Sequence, residues 1–319
     1  MKLKNIIRHE LMRPINALMR LKYDFEKRNI LKVKLQGGLC NKLLCLFAAC
    51  EIAQKYNFQL LEPEFGWHKK ILFSDIYDID FFNQQLAKHV GGRDIMVARN
   101  TVSNEKLHNR IRKDQFNLWQ WSEKNWQFIR KNIELDANSM IIHTLSALKL
   151  RSEYDSIVTQ HANSPLAVQF RIESDWVKYS KRKTVENNEI LLIDPQQLIE
   201  MLKDFQVDTL FFTTGENQPY IQSLLTDNGI NASFFYNADL EYEINAAINF
   251  EILTQAQKFI GLSRSSFSNL ITLKRQLFEN NPENYVYNHG NTITKRVDFG
   301  VYPAAKDSVS LIPKVINDK

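Results

Sequence analysis

Two short polar segments of the 319-residue sequence carry side chains suited to holding a diphosphate. Arg171 follows an apolar run and is itself followed by Glu173 and Asp175, while a serine-rich segment opens a helical pattern further on. A guanidinium binds phosphate through parallel hydrogen bonds, and a helix N-terminus presents unpaired N–H groups with a partial positive charge. Together they predict a diphosphate clamp that requires no metal ion. The predicted binding residues of the second segment are Ser265, Ser266, Phe267 and Ser268.

Each of these segments also has a purely structural interpretation. Arg171 could form a structural ion pair with Glu173 or Asp175, and Ser265 could be an ordinary helix cap. The sequence leaves both interpretations open. A shared position at one edge of a sheet would favour the ligand-binding one.

Two further polar segments follow predicted strands. Gly37 and Gly38 are adjacent in a chain with only 10 glycines. Glycine adopts backbone angles closed to other residues and lets a ligand approach the main chain. The segment 213–216, which contains Thr214 and Glu216, ends a run of strand-favouring residues. Because ligands bind at the carboxyl ends of strands in open parallel sheets, we expect all four segments to line one cleft.

Other catalytic patterns are missing from the sequence. The seven histidines are scattered and form no H-E-x-x-H pair. The three cysteines, at 40, 45 and 50, fan around a helix rather than meeting at a metal. The sequence contains no G-x-G-x-x-G, P-loop or G-x-S-x-G motif. We therefore expect neither metal nor cofactor, and interpret the cysteines as buried side chains of a protein in a reducing compartment.

Strand-like and helical patterns alternate along most of the chain. A strand over 30–36, the glycine pair and an apolar helix over 41–56 begin the series, and 166–278 repeats the alternation. We also predict a strand over 140–144 and a helix over 145–161. The predicted fold is α/β, with two Rossmann-like domains of parallel sheet that face a cleft. A basic helix over 1–29 precedes domains at 30–162 and 163–319.

Composition and charge limit the class of partner. Lys and Arg total 41 and Asp and Glu total 36, an excess too small to indicate binding of duplex nucleic acid. No run of apolar residues is long enough to predict a transmembrane helix. The basic, amphipathic residues 1–28 could dock onto the protein or lie on a membrane surface. We expect a cytoplasmic protein, with peripheral membrane contact through these residues as the open alternative.

Three segments resemble motifs of the fucosyltransferases, with the same order and spacing. Residues 37–43 resemble the G-G-x-x-N-Q opening of that family. Residues 169–176 resemble its H-x-R-x-x-x-D-W peptide, most of all the protein O-fucosyltransferase form. Residues 259–268 resemble its F-I-G-N-x-x-S-S-F-S peptide. The resemblance implies a GT-B glycosyltransferase that uses a GDP-fucose donor. It would transfer the sugar with inversion at the anomeric carbon and would require no metal.

The resemblance also implies roles for single residues. Arg171 would hold the β-phosphate and stabilise the leaving diphosphate, while Ser265, Ser266 and Phe267 would bind the phosphates. Asn41, Gly37 and Gly38 would lie beside the sugar and the acceptor. The N-terminal domain would then bind the acceptor and the C-terminal domain the nucleotide sugar. Thr214 and Glu216 match a strand-end segment near the nucleotide.

The sequence departs from the family pattern at two positions. Gln169 replaces the motif histidine, and Asn249 aligns with an acidic residue that reads guanine. A carboxylate offers only acceptors, whereas an amide offers one acceptor and two donors. The sequence alone therefore does not fix the base.

The predicted reaction is a single displacement, in which an acceptor hydroxyl attacks C1 of the donor sugar and the nucleoside diphosphate leaves. The acceptor would be a hydroxyl of a glycan or a protein. Glu173, Asp175 and Glu64 are the candidate bases, and the sequence does not decide among them. The alternative is a non-catalytic protein that binds a nucleotide or nucleotide sugar on a degenerate transferase fold.

Overall fold

A computed structural model describes residues 30–66, 69–101, 111–112, 135–136, 139–181, 190–290, 292–296 and 315–316. The predicted N-terminal helix over 1–29 lies outside these residues, so the predicted membrane contact stays a prediction. Within the described residues, no helix combines the length and the apolar character needed to cross a bilayer.

The first half of the chain builds a small parallel sheet. Its strands pair in the order β3-β2-β1-β4. The elements in chain order are β1 (Ile30–Leu31), α1 (Leu39–Lys55), β2 (Gln59–Leu61), α2 (Ile79–Ala87), β3 (Met96–Val97), β4 (Ile111–Arg112), β5 (Leu135–Asp136), α3 (Met140–Ser146) and α4 (Asp155–His161).

The second half builds a six-stranded sheet in the order β11-β10-β9-β6-β7-β8. All its pairs are parallel except β10–β11. The elements are β6 (Ala167–Gln169), α5 (Ser174–Ser180), α6 (Pro195–Leu202), β7 (Thr209–Thr213), α7 (Gln218–Asp227), β8 (Asn231–Ser233), α8 (Tyr242–Gln255), β9 (Phe259–Gly261), α9 (Ser266–Phe278), β10 (Asn284–His289), β11 (Thr292–Lys295) and β12 (Val315–Ile316), of which β12 pairs with β5.

The strand order of this sheet reverses between β6 and β9. The chain moves outward from β6 to β7 and β8, then returns to place β9 on the other side of β6. In doubly wound sheets, ligands bind at this point because the loops on either side diverge and leave a crevice. The order therefore locates a crevice at the carboxyl ends of β6 and β9.

A continuous apolar core joins the two sheets. One cluster runs from Leu31 and the buried face of α1 through α8 and α9 to Phe211 and Phe259 of the second sheet. A second cluster, with Phe212 and Ile260, covers the opposite face of that sheet. Neighbouring residues of a strand point to opposite faces, and both faces are buried here. This explains why these strands appear in the sequence as continuous apolar runs.

The helix α1 is buried on nearly every side because it packs against α3, α8 and α9. Its three cysteines are buried, as predicted, and form no disulfide among the described residues. Burial raises the pKa of the Cys50 thiol to about 12.

The predicted strand over 140–144 is wrong. These residues form α3, whose start is capped by Ser139 accepting a hydrogen bond from the Ile142 amide. The predicted helix over 145–161 begins instead at Asp155. A short apolar run does not distinguish a buried strand from a buried helix. Here the run forms a helix that packs against α1 and α2.

Candidate functional site

A cavity of about 560 Å³ opens at the carboxyl ends of β6, β7 and β9. The N-terminus of α1 forms its opposite wall, so both halves of the chain contribute to it. Its lining includes most of the residues predicted from the sequence. Those residues are Gly38, Asn41, Arg171, Glu173, Asp175, Thr214, Asn249, Ser265, Ser266 and Phe267.

Arg171 is held in this cavity by a set of contacts on one strand end. Its Nη1 lies 2.7 Å from Glu173 Oε2, and its Nη2 lies 3.2 Å from Asp175 Oδ2. The guanidinium carbon is 5.2 Å from the centre of the Trp176 ring, a distance typical of a cation–π contact. Its backbone N–H donates to the Tyr287 hydroxyl at 3.3 Å. These contacts fix the positive charge at the base of the cavity.

The two carboxylates beside Arg171 differ in how strongly they are held. Glu173 is buried, and its Oε1 accepts from the Gly215 amide at 2.7 Å while its Oε2 faces the guanidinium. The Asp175 side chain is 73% exposed. Burial lowers the pKa of Arg171, but Glu173 and Asp175 outweigh that effect and raise it above its ordinary value. The guanidinium therefore stays charged.

The N-terminus of α9 faces the same cavity. Ser265 caps the helix, with its Oγ 3.4 Å from the Ser268 amide. Among the described residues, no acceptor for the Ser266 and Phe267 amides is seen, and both residues line the cavity. These N–H groups can donate hydrogen bonds to the oxygens of an anion.

Ser268 lies beneath this helix start rather than in the cavity. It is fully buried, its hydroxyl accepts from the Leu262 amide at 3.0 Å, and it donates to Oε1 of Gln169. A Cβ on Gly261 would overlap the Ser268 side chain, at 2.8 Å from its Cβ. Glycine at 261 is therefore required for α9 to begin so close to β9.

Gly37 and Glu216 also lie outside the lining, although both support it. Gly37 has φ +81°, and a Cβ there would lie 2.7 Å from the Cβ of Asn41. Glu216 accepts from the Ser174 amide and hydroxyl, each at 3.1 Å. It therefore holds the start of α5, which carries Asp175.

One end of the cavity is apolar and adjoins two buried amides, Asn245 and Asn249. Phe235, Leu240 and Phe267 form its walls. The Nδ2 of Asn249 donates to the carbonyls of Phe235 and Asn245, at 3.1 and 2.8 Å. Its Oδ1 is buried and has no hydrogen-bond partner among the described residues. Since both amide hydrogens are used, the one polar atom of the Asn249 side chain without a partner among the described residues is an acceptor, the buried Oδ1.

Several lining residues were not predicted from the sequence. Tyr242, Tyr236 and Arg264 all line the cavity. Tyr236 and Tyr242 belong to the region that follows β8, and Arg264 lies between β9 and α9. The strand-end rule could have found them, because each follows a strand of the second sheet.

Known proteins resemble this chain in structure but not in sequence. No protein-family model matches the chain, and no curated protein matches its sequence. Among solved structures, POFUT1 in complex with GDP superimposes with a TM-score of 0.56 at 12% identity, covering 81% of this chain and 97% of that chain. POFUT1 in complex with GDP-fucose gives 0.54 at 12% identity, with 81% and 96% covered. The fucosyltransferase NodZ from Bradyrhizobium gives 0.50 at 14%, with 84% and 98% covered.

The chain has the fucosyltransferase fold. This confirms the predicted α/β class with parallel sheets, and the resemblance inferred from three short motifs holds at the level of the fold. Nearly the whole length of each of these fucosyltransferase structures is matched. The division into domains and the roles assigned to single residues stay predictions.

Proposed function

We propose that the chain is a glycosyltransferase that moves fucose from GDP-fucose to a hydroxyl of a glycan or a protein. One observation carries the proposal: the Arg171 guanidinium and the open amides of α9 line the same cavity. Two separate segments of the chain thus place positive charge in one cavity. The fold of the chain matches that of POFUT1 in complex with GDP-fucose.

The proposed reaction is a single displacement with inversion at the sugar. The acceptor oxygen bonds to C1 while the bond from C1 to the β-phosphate oxygen breaks and GDP leaves. Negative charge grows on that oxygen, where Arg171 and the Ser266 and Phe267 amides stabilise it. Fixed donors aimed at developing charge are commonly the largest single contribution to catalysis.

Among the three candidate bases, the contacts favour Asp175. Glu64 pairs with Arg99 at 2.7 Å and does not line the cavity. Both oxygens of Glu173 are engaged, by the Gly215 amide and by Arg171. Asp175 is exposed at the cavity mouth and is held through Oδ2 alone. We therefore assign Asp175 as the base that takes the proton from the acceptor hydroxyl.

The apolar end of the cavity is assigned to the base of the nucleotide. Asn249 offers one acceptor there because its two amide hydrogens are bonded to backbone carbonyls. The N1–H or the amino group of guanine can donate to Oδ1. An amide in this orientation can take the place of one oxygen of a carboxylate, so Asn249 is compatible with GDP as the donor nucleotide.

The first experiment is a thermal-shift panel of GDP, UDP, ADP and CMP on the full chain. We expect GDP to raise the melting temperature most, because ligand binding to the folded state stabilises it. The second is release of GDP from GDP-fucose, with and without glycan acceptors. Binding without any release of GDP would instead support a non-catalytic nucleotide-binding protein, and no stabilisation by any of the four would contradict the proposal.

A further inference from the structure

Tyr242 occupies a position in the cavity that the proposed reaction has not used. It is the first residue of α8, lines the cavity and is 56% exposed. Its hydroxyl oxygen lies 3.8 Å from where a Cβ on Gly38 would be. It therefore stands beside the glycine turn, at the wall formed by the first half of the chain.

The two residues that flank Tyr242 are both tied to lysines of the first half of the chain. Glu243 forms an ion pair with Lys42 at 2.6 Å, and the two side chains are 2% and 4% exposed. Glu241 pairs with Lys69, also at 2.6 Å. The backbone on either side of Tyr242 is thus tied to the first half of the chain, most firmly through the buried Lys42–Glu243 pair.

The phenol is a hydrogen-bond donor at neutral pH. Although the residue as a whole is 56% exposed, desolvation of its hydroxyl in the cavity, partly offset by the charge of Arg171, raises the pKa of Tyr242 to about 12, so the hydroxyl keeps its proton. No hydrogen bond of this hydroxyl is seen within the described part of the chain. A hydroxyl that lines a cavity and has no partner among the described residues is available to donate a hydrogen bond to a ligand.

The sugar is the part of the donor that this hydroxyl would meet. Arg171 and the start of α9 are assigned to the diphosphate, and Asn249 to the base. A sugar attached to the β-phosphate would extend from Arg171 into the same cavity, whose lining also includes Gly38 and Asn41. Tyr242 is at the wall formed by the first half of the chain, close enough to Arg171 for the guanidinium to influence the pKa of its hydroxyl.

We propose that Tyr242 is a specificity-determining residue that donates a hydrogen bond to a hydroxyl of the transferred sugar. The inference rests on the proposed function and adds to it a contact with the sugar rather than with the nucleotide. The variant Tyr242→Phe keeps the ring and removes only the donor.

The test compares the affinities of GDP and GDP-fucose by calorimetry. We expect Y242F to bind GDP within about twofold of the unmodified chain and GDP-fucose about three- to tenfold more weakly, as loss of one hydrogen bond predicts. The control is Y220F, which removes the hydroxyl of a comparably exposed tyrosine that does not line the cavity. It should leave both affinities unchanged.

The outcomes separate the inference from the proposed function. An unchanged ratio of the two affinities in Y242F, or an equal loss of both, overturns the sugar contact while GDP binding by the unmodified chain still supports a transferase. Failure of the unmodified chain to bind either compound overturns both. A selective loss of GDP-fucose affinity in Y242F, absent from Y220F, supports the inference.

Discussion

At the scale of single residues, the charges around Arg171 decide how the cavity accepts an anion. One guanidinium faces the carboxylates of Glu173 and Asp175, at 2.7 and 3.2 Å. A diphosphate that binds Arg171 must displace at least one of them, since like charges repel. Asp175 is the exposed member of the pair. Donor binding would therefore release the Asp175 carboxylate at the cavity mouth, where it can accept a proton.

Replacement of Arg171 tests the charge assigned to the leaving group. We expect Arg171→Ala to lower kcat/KM for GDP-fucose about a hundredfold or more, because the loss of one such charge costs a few kcal/mol in the transition state. Arg171→Lys keeps the charge but not the parallel hydrogen bonds and should recover only part of the rate. Steady-state kinetics would measure both. Full turnover by R171A would show that the charge is not used.

The two carboxylates predict different consequences when each is neutralised. Asp175→Asn should lower kcat by about a hundredfold or more, as expected for loss of a general base, while GDP binds equally well or more tightly. Glu173→Gln should instead weaken GDP binding and lower the melting temperature, since Glu173 supports both Arg171 and the Gly215 amide. Kinetics, calorimetry and thermal melting would be run on both variants. The reverse pattern would move the base to Glu173.

At the scale of the elements, the close approach of β9 and α9 sets the position of the phosphate site. We expect Gly261→Ala to destabilise the fold by about 1–3 kcal/mol, as overpacking in a dense core does, because its methyl group would overlap Ser268. GDP affinity should fall as well, since Ser268 lies beneath the helix start. Urea unfolding and calorimetry would measure these effects. Ser233→Ala on the exposed strand β8 is the control, and equal behaviour of the two variants would contradict the prediction.

The packing of α2 against α3 includes two stacked histidines, and it predicts a dependence on pH. The His89 and His143 rings lie 3.5 Å apart with an angle of 19° between their planes. Burial, and then the charge of Lys88, lower the pKa of His89. The unfolded chain therefore binds the proton more readily, so stability decreases as the pH falls below about 6.5, the ordinary histidine value.

The variant His89→Gln removes this titration. We expect its free energy of unfolding to fall less than that of the unmodified chain between pH 8 and pH 5.5, although its stability at pH 8 is reduced by the lost ring contact. Urea denaturation at the two pH values gives the difference. An equal fall in both proteins would show that His89 does not contribute.

The sequence predicted an element well when the element's own residues determine its structure, and poorly when contacts with residues distant in sequence determine it. The strands β6, β7 and β9 are covered on both faces, so each stands out as an apolar run, and the polar residues that follow them marked Arg171 and Ser265. The helix α3 was predicted as a strand because its apolar residues meet helices that are distant in sequence. The strand-end rule could have found Tyr242, but its place at the wall formed by the first half of the chain depends on the Glu243–Lys42 contact, which joins residues 201 positions apart.

At the scale of the whole molecule, the Lys42–Glu243 ion pair joins the halves of the chain behind the cavity. Burial lowers the pKa of Lys42, and the Glu243 carboxylate partly restores it. Lys42 also donates to the Phe65 carbonyl. A buried pair of this kind contributes little net stability, because desolvation offsets the attraction, yet removal of one partner leaves an unpaired buried charge. Its main effect is therefore to fix how α1 and α8 meet.

Because the two charges of this pair depend on each other, we expect substitutions of Lys42 and Glu243 to have non-additive effects on the free energy of unfolding. Lys42→Met should lower the free energy of unfolding by about 3–5 kcal/mol, whereas Lys42→Met with Glu243→Leu should lie within about 2 kcal/mol of the unmodified chain, since an apolar pair removes both desolvation costs. The control is Lys203→Met, whose partner Glu200 is 52% exposed, and we expect a change below about 1 kcal/mol. Urea unfolding at pH 7 measures all three. Additive effects in the double variant would mean that the two side chains stabilise the fold independently, and that α1 and α8 are positioned by apolar packing alone.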